Sequence, residues 1–179
     1  MSEQITKEQL FGGIAAPSEP HMACVLLLDI SSSMKGAPIQ SLNEAIAKFK
    51  QQVCQDPLAR KRVEVAIVTF ETHVEIVSDF MPIDQMPTIT LEPGGQTHMA
   101  EAIQVAIDLV KKRTREYQGV GVPCFKPWIF MITDGVSMST KEAMQEAAAR
   151  IHEEESKGSN ALSSGHLVWM IMIRKSCSS

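Results

Sequence analysis

The stretch Met22-Ala23-Cys24-Val25-Leu26-Leu27-Leu28-Asp29-Ile30-Ser31-Ser32-Ser33 decides the fold. Its apolar part is too short for a buried helix and does not alternate, so it reads as a central parallel strand covered on both faces. It stops abruptly at Asp29. Beyond the serine-rich loop, Ile39, Leu42, Ala45, Ile46, Phe49 and Val53 fall on one stripe at three- and four-residue spacing, with Pro38 in the first turn. This predicts a helix from about Ala37 to Cys54 that Pro57 ends.

Further outward, Arg62 to Phe70 and Val74 to Val77 are short β-branched runs around Glu71-Thr72-His73, the pattern of a hairpin. Pro82, Pro87 and Pro93 make the chain between Phe80 and Gly95 a loop, with Asp56 and Asp84 as turn residues. A second long helix is expected from near Thr97 or His98 to Tyr117, stopped by Gly119 and Gly121. It carries Met99, Ile103, Ala106, Ile107 and Val110 inward, and its basic stretch Lys111 to Arg115 suits the negative pole of its dipole. Trp128 to Thr133 repeats the first strand's pattern and also ends on an aspartate, Asp134, before Gly135. Thr140 to Glu155 reads as a third helix, capped by Thr140 and ending in a solvated Glu153-Glu154-Glu155 run, and Leu167 to Ile173 is the last apolar run. Such alternation predicts an α/β class: a doubly wound, mostly parallel central sheet with helices on both faces and one antiparallel edge hairpin. Function then belongs at the carboxyl ends of the strands, at a topological switch point.

Composition narrows the classes. A length of 179 residues suggests one domain, with residues 1–20, which contain Gly12-Gly13, Pro17 and Pro20, as a flexible lead-in to a domain spanning 21–179. Lys plus Arg minus Asp plus Glu is 17 − 21 = −4, and the basic runs at 60–62 and 111–113 are too short to track phosphates, which argues against nucleic acid. No apolar run approaches the ~20 residues that span a bilayer, and residues 1–10 lack a signal-like core, so the expectation is a cytoplasmic protein without a membrane partner. Cys24, Cys54, Cys124 and Cys177 lack metal or redox spacing and read as reduced thiols.

Chemistry concentrates in three loops, Asp29 to Ser33, Gly94-Gly95-Gln96-Thr97 and Thr133-Asp134-Gly135. Carboxylates and hydroxyls suit a hard divalent cation, Mg²⁺ or Mn²⁺. Successive side chains alternate, so Asp29, Ser31 and Ser33 form an oxygen face that Thr97 and Asp134 can complete, leaving a sixth position for a carboxylate from elsewhere. The serines alone equally fit a turn and a cap; together with Thr97 and Asp134 they read as ligands. His73 and His98 read as loop or cap residues, and Met81, Met86, Met99, Met131, Met138 and Met144 as core filler or adaptable surface.

Asp-x-Ser-x-Ser, then Thr after Gly-Gly, then Asp-Gly at the end of an apolar strand resembles the metal-ion-dependent adhesion site (MIDAS) of von Willebrand factor A domains, over about residues 22–156. The resemblance implies a Rossmann-like fold, metal ligands at Asp29, Ser31, Ser33, Thr97 and Asp134, no catalytic residue, and a protein partner that supplies an Asp or Glu. Lys35 to Ile39, Gln55-Asp56-Pro57, Val65 to Phe70 and Lys126 to Phe130 further resemble the bacterial TerY-like tellurium-resistance subgroup. That similarity implies a cytoplasmic partner-binding module in chemical-stress resistance or phosphosignalling, beside kinase- and phosphatase-like proteins of the same cluster. The rival class is a Mg²⁺-dependent haloacid-dehalogenase-like phosphatase. It needs a second Asp two residues after the first as general acid, and Ser31 stands there.

From about residue 157 the resemblance ends. The family pattern continues into a strand, an Asp-rich loop and a helix, whereas this chain has Lys157-Gly158-Ser159-Asn160-Ala161-Leu162-Ser163-Ser164-Gly165. Back-translating Ala161 to Ser179 and reading two bases later permits an apolar stretch followed by an acidic loop, so a frameshifted or truncated end is expected, with Leu167 to Ile173 still able to take an edge-strand position.

Overall fold

The computed structural model describes residue 14, residues 16–135 and 137–156, and the course of the chain over 168–173. Its strands are β1 (Met22–Asp29), β2 (Val63–Phe70), β3 (Val74–Pro82), β4 (Trp128–Thr133) and β5 (Val168–Ile173), in one sheet ordered β3-β2-β1-β4-β5. The helices are α1 (Ala37–Gln55), α2 (Pro57–Arg62), α3 (Met99–Gly119) and α4 (Lys141–Ser156). Every neighbouring pair is parallel except β2 with β3, the expected edge hairpin. The chain leaves β1 through α1 to β2 on one side and returns through α3 to β4 on the other, so the strand order reverses at β1. The crevice outside the carboxyl ends of β1 and β4 is the switch point.

Side-chain alternation divides the sheet cleanly. Val25 and Leu27, with Ala66, Val68, Ile129 and Met131, face α3 and α4. Cys24, Leu26 and Leu28, with Val65 and Ile67, face Ile39, Leu42 and Ile46 of α1. Burial pushes the Cys24 thiol up to about 12, so it packs as a small apolar group, and Cys24, Cys54 and Cys124 are free of disulfides. The proline-broken loop after β3 is no loose connector. Ile83 and Met86 are buried on the α1 face, and Asn43 brackets Leu91, its Nδ2 donating to the carbonyl at 3.1 Å and its Oδ1 accepting from the amide at 2.9 Å. This anchoring fixes the approach of Gly94 and Gly95 to the carboxyl end of β1.

Some local readings are revised. Asp56 does more than turn the chain: its Oδ1 accepts from the amides of Leu58 and Ala59 and caps the short helix α2, which the apolar periodicity could not signal. Glu154 is not a solvated member of its acidic run but is buried, accepting from Lys111 Nζ at 2.8 Å across the α3–α4 contact. Thr140 does cap α4, accepting from the Ala143 amide at 3.2 Å. The six residues of β5 pair with β4 at the sheet edge, whereas residues 1–13, 157–167 and 174–179, and with them the expected irregular end, lie outside the described residues. Ile14, in the lead-in, is buried against Tyr117 and Val122.

Arg113 is the largest departure from the dipole reading of the α3 end. It turns inward, donating from Nη2 to Glu64 Oε2 at 2.6 Å and from Nη1 to Glu116 at 2.9 Å. Tyr117 donates its hydroxyl to the same Glu64 oxygen at 2.7 Å, and His21 Nδ1 lies 3.5 Å from the other. Burial works against the guanidinium charge, but Glu116 and Glu64 more than offset it and hold the Arg113 pKa above its ordinary range; burial and Glu64 push the Tyr117 phenol up as well. Removing one partner of such a pair leaves the other charge buried and unpaired. Glu64→Gln is expected to lower stability by about 3 kcal/mol in urea unfolding, and a loss below ~1 kcal/mol would show the cluster to be dispensable.

Candidate metal centre

Parallel register builds the floor of the site. Leu28 pairs with Ile132, so the next residues, Asp29 and Thr133, stand side by side at the ends of β1 and β4. Asp29 continues the Val25–Leu27 row and Thr133 the Ile129–Met131 row, so both side chains point to the same face. The Thr133 hydroxyl donates to Asp29 Oδ2 at 2.6 Å and accepts from the Gly135 amide at 3.0 Å. Asp29 Oδ1 accepts from the Ser31 amide at 2.9 Å. Asp29 is fully buried, and burial first, then Asp134, raises its pKa above the ordinary aspartate range against the lowering effect of its Ser31 and Thr133 hydrogen bonds.

Around this floor the loops are stitched together. Ser31 and Ser33 bring their hydroxyl oxygens to 2.9 Å. The Ser32 amide donates to Gly95 O at 3.1 Å and the Gly94 amide to Ile30 O at 2.7 Å, tying the Gly-Gly turn to the serine loop. On the other side the Met138 amide donates to Thr97 O at 2.9 Å and the Ala100 amide to Ser139 Oγ at 3.1 Å. Gly95 sits at φ +63°, a left-handed backbone that strains any other residue, and the Glu71 carboxylate lies where a Cβ would project. Asp29, Ser31, Thr97 and Thr133 are buried, while Ser33, Gly95 and Gly135 open to solvent. All of the sequence-predicted residues lie on these three loops, with Asp29, Ser31 and Ser33 in one hydrogen-bonded group and Asp134 close enough to raise the Asp29 pKa.

Two contributors were not singled out from the sequence. Thr133 positions Asp29, and the available signal was a hydroxyl as the last residue of an apolar strand. Glu71 lies against Gly95, and nothing in its turn sequence signals that contact.

The donor set fits a hard cation. The Ser31–Ser33 hydroxyls are joined by an ordinary hydrogen bond of 2.9 Å, a length that also equals the separation of adjacent ligand oxygens in an octahedron with bonds of about 2.0–2.1 Å. Among the described residues no three His, Cys, Asp or Glu side chains form a cage, so the candidate ligands are mostly neutral hydroxyls.

The von Willebrand factor type A domain family model matches residues 24–137, and the chain belongs to that family, a module that commonly mediates protein–protein interaction. No curated protein matches the chain. Among solved structures it is similar to the PilB minor pilin from Streptococcus sanguinis, with 15% identity, TM-score 0.52, and coverage of 66% of this chain and 30% of that one. The ArnB paralog VWA2 from Sulfolobus acidocaldarius has 15% identity and TM-score 0.50, covering 85% of this chain and 34% of that one. Proximal thread matrix protein 1 from the mussel byssus has 16% identity and TM-score 0.53, covering 86% and 36%. These likenesses show a shared fold, and the chain spans about a third of each of those proteins.

Thr133→Val removes the hydroxyl that orients Asp29 while leaving the candidate ligands in place. Mn²⁺ affinity by calorimetry is expected to fall by about 10–100-fold, as for other residues that orient metal ligands. Unchanged affinity would show that Asp29 needs no such support.

Proposed function

We propose that this domain is a divalent-metal-dependent protein-binding module and not an enzyme. Asp29, Ser31, Ser33, Thr97 and Asp134 hold Mg²⁺ or Mn²⁺, directly or through water, and an Asp or Glu of a partner protein takes the open position. The observation that carries this reading is the oxygen-only group formed by the buried Asp29 with Ser31 and Ser33, with Asp134 close enough to act on the Asp29 carboxyl. Ligands that are mostly neutral leave the cation able to attract a further carboxylate, and in a partly dehydrated cleft that attraction exceeds its value at an open surface. The phosphatase alternative is disfavoured because Ser31, engaged with Ser33, occupies the position of the needed acid. No helix among the described residues is long and apolar enough to cross a membrane. The TerY-like segments support a cytoplasmic role in tellurium or chemical-stress resistance or phosphosignalling, with kinase- or phosphatase-like partners.

Mn²⁺ titrated calorimetrically into wild type is expected to bind at one site, and the Ser31→Ala, Asp134→Ala double variant to lose that binding; equal affinity in both would sink the assignment. A ligand at about 100 times its Kd adds about 2.7 kcal/mol, which for a domain of this size raises Tm by roughly 5–10 °C. Asp29→Asn keeps an acceptor for the Ser31 amide but removes the charge, so the Mn²⁺-induced rise in Tm is expected to vanish in that variant. A rise of equal size in Asp29→Asn would move the metal elsewhere. Phosphatase assays are expected to show no metal-dependent turnover that Asp29→Asn abolishes.

A further inference from the structure

At the amino end of the sheet, opposite the loops of the candidate metal centre, a buried histidine joins the lead-in to the domain. His21 immediately precedes β1, and its fully buried ring stacks on Tyr117 with centroids 5.5 Å apart. Its amide donates to Pro123 O at 2.8 Å and its carbonyl accepts from the Phe125 amide at 2.7 Å, so its backbone is fixed. Both ring nitrogens face oxygens that can only accept. Nε2 lies 3.2 Å from Ala16 O, and Nδ1 lies 3.5 Å from Glu64 Oε1. Neither Nδ1 nor Oε1 has a hydrogen-bond partner among the described residues. The other Glu64 oxygen, by contrast, accepts from Arg113 Nε at 2.8 Å, Arg113 Nη2 at 2.6 Å and the Tyr117 hydroxyl at 2.7 Å.

A neutral imidazole carries one N–H and one lone pair. With the proton on Nε2, the bare Nδ1 faces a carboxylate oxygen; with the proton on Nδ1, the bare Nε2 faces the Ala16 carbonyl. Only the imidazolium donates on both sides. We infer that His21 is a proton-dependent latch: as the imidazolium it fastens the lead-in, through Ala16, to Glu64, and loss of its second proton releases the lead-in from the amino end of the domain.

The segment it holds is under strain and has a seat to leave. Ala16 sits at φ +48°, a left-handed backbone that costs a residue with a Cβ. Ala16 O also accepts from the Glu19 amide at 2.9 Å, and Glu19 accepts from Arg62 Nη2 at 3.0 Å. Just ahead of that turn, Ile14 is buried against Tyr117 and Val122. The titratable and charged groups around the ring are Glu64 of β2; Arg113, Glu116 and Tyr117 of α3; Glu19 with Arg62; and Cys124, whose strand bridge pairs with His21. Arg113 is the like charge of the cluster, and it is divided between Glu64 and Glu116, the latter also facing exposed Lys112 at 3.9 Å. Tyr117, its phenol pushed up by burial and then by Glu64, stays a neutral donor. The bond from Nδ1 exists only in the imidazolium, so the latch is closed on the acid side and opens as pH rises and the ring loses that proton.

The test is long-range ¹⁵N–¹H NMR of the full chain at about pH 6 and about pH 9, either side of the range in which histidine changes charge, with the His21 ring identified by its NOEs to Tyr117. At the lower pH both ring nitrogens are expected to carry protons and Ile14–Tyr117 NOEs to be present; at the higher pH one nitrogen is expected to be bare and those NOEs to fall at least twofold. In thermal unfolding, the Tm deficit of His21→Gln relative to wild type is expected to be larger at the lower pH by about 3–6 °C, the size of one charge-assisted hydrogen bond in a domain of this length. The wild-type spectra decide the matter even where the variant does not fold. A ring with one proton at about pH 6, a ring that keeps both at about pH 9, Ile14–Tyr117 NOEs that do not follow the ring's proton, or a Tm deficit equal at the two pH values overturns the latch.

Discussion

The hydrogen bond from Thr133 to Asp29 is the constraint on which the site depends. It exists because β1 and β4 run parallel in a register that ends both on the same row, and it holds a fully buried carboxylate in one orientation. Burying an anion without a matching cation is costly, so such an arrangement persists only where the surrounding packing imposes it. Here the α3–α4 face supplies that packing through Val25, Leu27, Ile129 and Met131 directly beneath the two residues. The serine loop, the Gly-Gly turn and the loop after β4 then bond to one another around the fixed carboxylate.

The two ends of the sheet treat a buried carboxylate in opposite ways. At the amino end, Glu64 is ion-paired with Arg113 and accepts from Tyr117, both at Oε2, so its charge has a cation within the domain. At the carboxyl end, the donors to Asp29 among the described residues are the Ser31 amide and the hydroxyls of Ser31 and Thr133. Neutral donors orient a carboxylate but do not cancel its charge, which leaves Asp29 suited to a cation from outside. The same sheet therefore holds a structural ion-pair cluster at one end and the proposed metal site at the other, at the switch point where the strand order reverses.

The glycines and prolines serve this geometry as much as the acids do. Gly95 accepts a left-handed backbone and the close approach of Glu71, which lets the hairpin turn lie against the loop of Thr97. The proline-broken segment before it is held by Asn43 and by the burial of Ile83 and Met86, so a stretch without regular structure still delivers its end to a defined place. Loops of this kind position functional groups through side-chain and backbone bonds rather than through their own propensity.

What the sequence determined by itself was the architecture and the chemistry of the three loops. Unbroken apolar strands ending on Asp29 and Asp134, and helices with single apolar stripes, encode the two-sided sheet because burial enforces periodicity locally. The short helix after Asp56, the inward turn of Arg113, the burial of Glu154 and the placement of Glu71 over Gly95 were decided only by the tertiary structure. Each depends on a partner distant in the chain or on a capping bond that overrides a charged residue's usual place at the surface. Thr133 stands between the two cases: its position as the last residue of a strand is written in the sequence, but its role beside Asp29 follows from the register of β1 against β4, which no local pattern specifies.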